Sequence, residues 1–306
     1  MMVQAVKQQV SGELLYNEPL ARYTTWRVGG PADRLYKPAG LDDLVSFMRD
    51  LDENEPVFWL GLGSNILVRD GGIRGTVIAT QGSLNELSVM QNGNVRAEAG
   101  VTCAKVARFC SSHDLSDAEF LAGIPGTMGG ALAMNAGAFG GETWDLVSAV
   151  ETIDHSGMIH VRNANEFEVG YRTVTGLESE RFVAAHLRLE KDKAKQDIKK
   201  NIKDLLEERN KKQPIGLPSC GSVFRNPEND YAARLIEQAG MKGVCEGGAC
   251  VSDKHANFII NAGNATAFEI ERLIEKVAAN IFEKYGVQLQ REVRIVGEFN
   301  RAGDNK

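Results

Sequence analysis

Half of the 32 glycines of this chain fall in three short regions, Gly61–Gly75, Gly123–Gly141 and Gly240–Gly248, and this clustering constrains the fold more than any other feature. Glycine reaches φ > 0 without steric cost but weakens a helix or strand from within. A run such as Gly123-Ile124-Pro125-Gly126-Thr127-Met128-Gly129-Gly130 therefore belongs where backbone turns sharply or approaches another group closely. From Gly123 to Ala138 there is no charged side chain. Successive amides in such turns form concave sites for anions such as a pyrophosphate. Gly61-Leu62-Gly63-Ser64-Asn65 comes directly after the predicted strand Val57-Phe58-Trp59-Leu60 and offers a second amide nest with two polar side chains. Neither loop is a Rossmann fingerprint, since Ile66 stands where the third glycine belongs and Gly126-x-x-Gly129 has the wrong spacing. No Gly-Lys-Ser/Thr occurs, so there is no P-loop. Tight backbone packing accounts for one such cluster. Two in the same half of a chain point to a buried dinucleotide.

The chain is long enough, at 306 residues, for two or three compact units. Apolar and charged fractions of 43% and 25% predict an ordinary buried core. A net charge of −6 argues against a nucleic-acid binder. No apolar run approaches the roughly 20 residues that cross a bilayer, and the first residues lack the apolar stretch of a secretory signal. A cytoplasmic protein without membrane insertion is expected. Five cysteines in no framework spacing are read as reduced thiols. Cys220, Cys245, Cys250 and His255 lack the spacing of a zinc site, so no metal is expected.

Hydrophobic patterning predicts strands at Val57–Leu60, Ile66–Val68, Thr76–Ala79, Phe182–Leu189, Asn257–Asn261 and Val293–Val296. Val147–Ile153 and Ile159–Val161 read as a hairpin around Asp154-His155-Ser156-Gly157. Thr102–His113 suits a helix with Thr102 as N-cap, and Ala232–Ala239 and Ala267–Tyr285 read as further helices. Residues 191–213 form an amphipathic linker helix, with Ile198, Ile202, Leu205 and Leu206 on one stripe. Its nine Lys or Arg are interleaved with five Asp or Glu, the pattern of a solvated face. Gln213-Pro214-Ile215-Gly216-Leu217-Pro218 marks a boundary, and 214–306 is a small α+β domain.

Further motifs accompany the glycine loops. They are Thr24-Thr25-Trp26-Arg27-Val28-Gly29-Gly30, Tyr171-Arg172, Gly221-Ser222-Val223-Phe224-Arg225-Asn226-Pro227, His255-Ala256-Asn257-Phe258 and Glu292-Val293-Arg294. In this order, from about Asn17 to Gly297, the series resembles the UDP-N-acetylenolpyruvoylglucosamine reductase (MurB) family, in its shorter subgroup. The resemblance implies an α+β protein in which 1–190 is a vanillyl-alcohol-oxidase-type FAD-binding region of two subdomains, roughly 1–80 and 81–190. The carboxyl-terminal domain would close over a UDP-sugar. FAD would be held by Gly61, Gly63, Ser64, Asn65, Gly123, Ile124, Pro125, Gly126, Met128, Gly129, Gly130, Asn135 and Gly137. NADPH would be co-substrate, using the same cleft as the sugar nucleotide, and the protein would be a monomer.

The implied reaction sends hydride from flavin N5 to C3 of the enolpyruvyl group and then protonates C2. Ser222 matches the family's proton donor, and Arg172 and Glu292 match its other catalytic positions. A guanidinium that stays charged and can grip a carboxylate with two bonds suits the developing enolate. Glu292 could donate to that carboxylate only in its protonated form. Tyr171, Arg225 and Asn226 match substrate-binding positions. The family often reads Tyr-Arg-x-Ser, whereas this chain has Val174, so one hydroxyl contact is missing. Taken alone, Ser222 is a turn hydroxyl, Arg172 a surface arginine and Glu292 a strand-end carboxylate. An FAD-linked oxidase of the same cofactor fold, acting on another substrate, is the alternative reading.

Overall fold

The computed structural model describes residues 10–191 and 197–300. The described residues fall into two compact units, each discontinuous in sequence. The first takes the chain up to Leu15, then Arg34–Gly61 and Gly75–Lys203; the second takes Tyr16–Asp33, Leu62–Arg74 and the chain from Asp204 onward. Sequence patterning places contiguous boundaries at 190 and 213 instead. Two short amino-terminal segments are thus counted with the carboxyl-terminal half.

In the first unit, strand Val57–Leu60 pairs in parallel with residues 76–79, with Val57 opposite Thr76 and Leu60 opposite Ala79. A five-stranded antiparallel sheet runs in the order Ile159–Asn163, Val147–Ile153, Arg181–Leu187, Val95–Glu98, Leu87–Val89. Leu44, Met48, Ile78, Leu84, Ala99, Ile153 and Val183 form one core of this unit. Helix Cys103–Ser112 starts where Thr102 predicts it, the Thr102 hydroxyl accepting from the Lys105 amide at 3.3 Å.

Across the middle of the five-stranded sheet lies a charged network. Arg96 donates to both carboxylate oxygens of Glu151 at 2.7 and 2.6 Å, and His186 Nε2 lies 2.7 Å from Glu151 Oε1. Burial alone pushes the Glu151 carboxyl up, but hydrogen bonds from Arg96 and His186 outweigh it and hold the group at about 2. The sign comes from linkage. A carboxylate depressed from 4.5 in the unfolded chain contributes stability above about pH 4.5 and loses it as pH falls through 2. At neutral pH this amounts to about 3 kcal/mol as an upper estimate. Glu151→Gln is therefore expected to lower the urea midpoint at pH 7, and the gap to the parent should narrow steadily between pH 4.5 and 2.

The second unit is built around helix Ala267–Tyr285. Its start is doubly capped. Thr266 and Glu269 form a capping box, and Asp70 accepts from the amides of Ala267 and Phe268 at 3.0 Å each. Its end is at Gly286, at φ +68°. Glu271, on the same helix, takes a bidentate bond from Arg69 at 2.9 and 2.7 Å. Strand Ile66–Val68 pairs in parallel with Arg294–Val296. Trp26 is fully buried and donates to the Ile259 carbonyl at 2.8 Å. These contacts explain why the Thr24–Val28 motif and the 62–74 segment belong to the carboxyl-terminal core, which also holds Leu67, Val223, Phe224 and Ile274.

The structure corrects the expectation of uniformly reduced cysteines. Strands Cys245–Glu246 and Ala249–Val251 form a tight hairpin in which Cys245 stands directly opposite Cys250, their Cα atoms 4.1 Å apart, and the two are joined by a disulfide. A spacing of five residues carries no pairing signal until the Gly247-Gly248 turn folds it back. Cys103, Cys110 and Cys220 are free and buried. The linker helix is observed as Asp197–Lys212, with Ile198 and Ile202 buried; positions 192–196 of that expectation lie outside the described residues.

Candidate active site

The glycine-rich stretch of the first unit passes from a short helical turn, Glu119–Gly123, through an exposed Pro125 into helix Met128–Met134. Not all of its amides are available to a ligand. Met128 N–H donates to Val101 at 2.8 Å and Gly129 N–H to Ala99 at 2.9 Å, while Gly126 accepts from Cys103 at 2.9 Å. Gly129 is a site of close approach, since a Cβ there would lie 2.9 Å from that of Ala99. Gly130 differs. It is exposed, and the nearest atom to a Cβ built on it is Thr127 Oγ1 at 3.9 Å. That hydroxyl is buried and has no hydrogen-bond partner among the described residues. Gly61 presses against the same threonine, so closely that a methyl group would collide with it. The two glycine loops of the sequence thus meet at Thr127 in the first unit.

Asn135 and Gly137 are brought to Arg172. Asn135 ends the helix in the left-handed region, at φ 44°, and its side chain bonds Glu142 at 2.7 Å and the Gly170 carbonyl at 3.3 Å. Strands Glu168–Gly170 and Thr173–Thr175 form a hairpin whose two-residue loop is Tyr171-Arg172. Arg172 sits at φ +55°, an uncommon conformation for a side chain of its size. Its guanidinium donates to the Asn135 carbonyl at 3.2 Å and to the Gly137 carbonyl at 3.1 Å. Gly137 leaves the necessary space, since a Cβ there would lie 3.1 Å from Arg172 Nη1 and 2.7 Å from the Gly141 carbonyl. Tyr171 is exposed beside it, its ring centre 5.1 Å from the guanidinium carbon. Val174, at the position where the family often has serine, lies on the second strand of this hairpin, with Thr173 exposed.

The other candidate residues lie in the second unit. Gly221 takes φ +78° with open space around it, so it serves a turn and not a close contact. Ser222 is partly exposed, and its hydroxyl has no hydrogen-bond partner among the described residues. It does not close on its own turn. Val223 and Phe224, next in the chain, are fully buried. The Val223 carbonyl accepts from Glu292 N–H at 2.8 Å, and Arg225 N–H donates to Gln290 at 2.9 Å, so the serine loop and the glutamate segment are paired backbone to backbone. Cys220 shows the same proximity, because burial first and the Glu292 charge second push its thiol well up. Asn65 also reaches this pair. Its side chain donates to the Glu292 carbonyl at 3.2 Å, and its own carbonyl accepts from Arg294 at 3.1 Å. Gly63, at φ +66°, packs on the Tyr23 carbonyl, and its own carbonyl accepts from Thr25 at 3.1 Å. Ser64 lies between them, partly exposed. Asn226 accepts from the Ala232 amide at 3.2 Å, at the start of helix Ala232–Gln238. Asn257, which has no functional signal beyond its place in a motif, holds the serine loop from its other side. Thr127 likewise escapes sequence reasoning, because a threonine among glycines carries no signal of its own.

Comparison with known proteins decides what this machinery belongs to. Residues 213–296 match the family model described as UDP-N-acetylenolpyruvoylglucosamine reductase, C-terminal domain, and residues 32–162 match an FAD binding domain. The UDP-N-acetylenolpyruvoylglucosamine reductase of Alkalilimnicola ehrlichii is 59% identical over 297 residues, 97% of this chain and 99% of the relative. The chain belongs to the UDP-N-acetylenolpyruvoylglucosamine reductase family. A second member, from Methylococcus capsulatus, is 59% identical over 287 residues, 94% of each chain. The crystal structure of the family member from Thermus caldophilus superposes with a TM-score of 0.79 at 31% identity, covering 93% of this chain and 98% of that one. As a member of this reductase family the protein is an FAD-dependent oxidoreductase, and the expected α+β class, with an FAD-binding part and a carboxyl-terminal part, stands. The surface around Thr127 fits the cofactor's diphosphate. It is uncharged, bare of side chains at Gly130, and offers a hydroxyl with no internal partner among the described residues. Among the described residues no helix is long and apolar enough to cross a membrane.

Proposed function

We propose that this protein reduces UDP-N-acetyl-3-O-(1-carboxyvinyl)-glucosamine to UDP-N-acetylmuramate in peptidoglycan precursor synthesis, with NADPH as reductant. The observation that carries the reading is the uncommitted Ser222 hydroxyl on a loop whose backbone is paired with the segment bearing Glu292. The surface around Gly61, Thr127 and Gly130 would hold FAD, which would supply the hydride chemistry between NADPH and C3 of the enolpyruvyl group. The chain's own residues manage the charge and the proton. Negative charge gathers at C2 and on the adjacent carboxylate. Arg172, whose guanidinium is already oriented by two carbonyls, stabilises that charge without reorganising. Ser222 gives its proton to C2 and regains one from water; a hydroxyl is a sufficient acid toward so basic a carbanion. Glu292 is the third catalytic residue; a bond from it to the substrate carboxylate requires its protonated form. Tyr171, Arg225 and Asn226 contact the sugar or diphosphate. We assign the enzyme to the cytoplasm as a monomer, with NADPH and the sugar nucleotide using one cleft in turn.

The test is spectroscopic. NADPH added without oxygen is expected to bleach the yellow protein, and colour should return on adding the enolpyruvyl sugar. Rapid recolouring by air with no response to the sugar would overturn the reading in favour of an oxidase. A protein that takes up no FAD would remove its basis.

A further inference from the structure

Asn257 is buried, 3% exposed, and carries no charge and no obvious task in the reaction. Its contacts are specific. The side-chain Oδ1 accepts from Phe224 N–H at 3.0 Å, Nδ2 donates to the Phe224 carbonyl at 2.8 Å, and the Asn257 main-chain carbonyl accepts from Val223 N–H at 2.9 Å. One residue therefore satisfies three backbone groups on one side of the serine loop, its amide standing in for a neighbouring strand. On the other side, Glu292 and Val293 amides both donate to the Val223 carbonyl, at 2.8 and 3.3 Å, and Arg225 N–H donates to Gln290. Asn65 then ties the Glu292 carbonyl at 3.2 Å. Hydrogen bonds thus run without a break from Asn257 through Val223 to Glu292 and Asn65.

From this we infer that Asn257 is a positioning residue for the reduction of the sugar, setting the height and direction of the Ser222 hydroxyl relative to Glu292. Ser222 comes after Gly221, which is at φ +78° with nothing within 4 Å of a Cβ position, so Gly221 itself gives the serine no side-chain support. The direction of Ser222 is set by the next two residues, Val223 and Phe224. Apolar packing fixes their side chains, but hydrophobic contact is non-directional. Hydrogen bonds to both the N–H and the C=O of one residue fix its rotation. A primary amide carries its donor and its acceptor on separate atoms, so it can meet the N–H and the C=O of one residue at once, which a single hydroxyl cannot do as well. Leucine would fill the volume without holding the backbone, and aspartate would keep the acceptor but turn an oxygen toward the Phe224 carbonyl.

The inference rests on Ser222 as proton donor, and the experiment separates the two. Ser222→Ala, Asn257→Asp and Asn257→Ser are compared with the parent in each half-reaction by stopped flow, together with amide hydrogen exchange of the 221–226 segment. For the Asn257 variants, flavin reduction by NADPH is expected to stay within about threefold. Reoxidation by the enolpyruvyl sugar should slow roughly 10- to 100-fold, the scale of an ångström-level displacement of a reacting group. Its solvent deuterium isotope effect should rise, because transfer from a displaced hydroxyl becomes more limiting. Exchange should increase at 222–225 and not in helix Ala267–Tyr285. If both half-reactions fall together, if neither falls, or if both Asn257 variants lose FAD and native absorbance, Asn257 is only part of the core and the inference is overturned. If Ser222→Ala leaves sugar reduction intact, the donor assignment itself is wrong and the inference falls with it.

Discussion

Ser222→Ala is expected to slow reoxidation of the reduced enzyme by the enolpyruvyl sugar by roughly 10²–10⁴-fold, the usual contribution of a general acid. Flavin reduction by NADPH should remain within about twofold. The asymmetry is the informative part, because only the second half-reaction calls for a proton at carbon. The substitution is also structurally mild. The Ser222 hydroxyl has no hydrogen-bond partner among the described residues, and the loop is held by backbone groups of Val223, Phe224 and Arg225 that the variant keeps. The thermal midpoint should move by no more than about 2 °C, since surface substitutions of this kind change stability within about 0.5 kcal/mol either way. Stopped-flow absorbance of the flavin measures both rates in one preparation. Equal losses in both half-reactions, or none, would remove Ser222 from the donor role.

Arg172→Met is expected to cost roughly 10²–10³-fold in the same half-reaction, the scale on which a single donor at a developing oxyanion acts. Arg172→Lys should recover little of this. An ammonium keeps the charge but not the planar fork, and a lysine cannot both take orientation from the Asn135 and Gly137 carbonyls and hold a carboxylate with two bonds. Gly137→Ala offers a subtler check. The added methyl would stand 2.7 Å from the Gly141 carbonyl and 3.1 Å from Arg172 Nη1, so the local backbone and the guanidinium must both give while the charge survives. A loss of about tenfold confined to sugar reduction, roughly what a small displacement of a charge-stabilising group produces, is expected. If Gly137→Ala instead leaves both rates unchanged while Arg172→Met abolishes the second, the orientation supplied by these carbonyls does not matter.

Local signals are legible where the chemistry is local. Helix Ala267–Tyr285 has the bounds read from the sequence because Thr266, Glu269 and Gly286 mark its two ends. Strands Val57–Leu60 and Ile66–Val68 likewise match, each an apolar run stopped by turn formers. The hairpin carrying Tyr171-Arg172 gives no such signal, since its two three-residue strands are too short for periodicity and its loop has no glycine. Asn65 has the sequence context of a cofactor nest because it stands just past two glycines, yet its side chain is bonded to the carbonyl of Glu292, 227 positions away. Spacing carries no information about such a contact.

The linear order of residues was sufficient for the series of motifs, and with it the family and the FAD cofactor. It was sufficient also for the bounds of helix Ala267–Tyr285, because its caps depend on neighbours in the chain. How the glycines divide their work emerged from the folded chain alone. Some, like Gly129 and Gly137, are bare so that backbone or a guanidinium can come close, whereas Gly130 leaves an open surface beside Thr127. Folding likewise joined Cys245 to Cys250, placed residues 62–74 with the carboxyl-terminal unit and set Asn257 against Phe224. The physical reason is common to all of these. A close approach or a hydrogen bond between distant residues is a property of the space the folded chain leaves, and residue identity sets only which groups are able to occupy it.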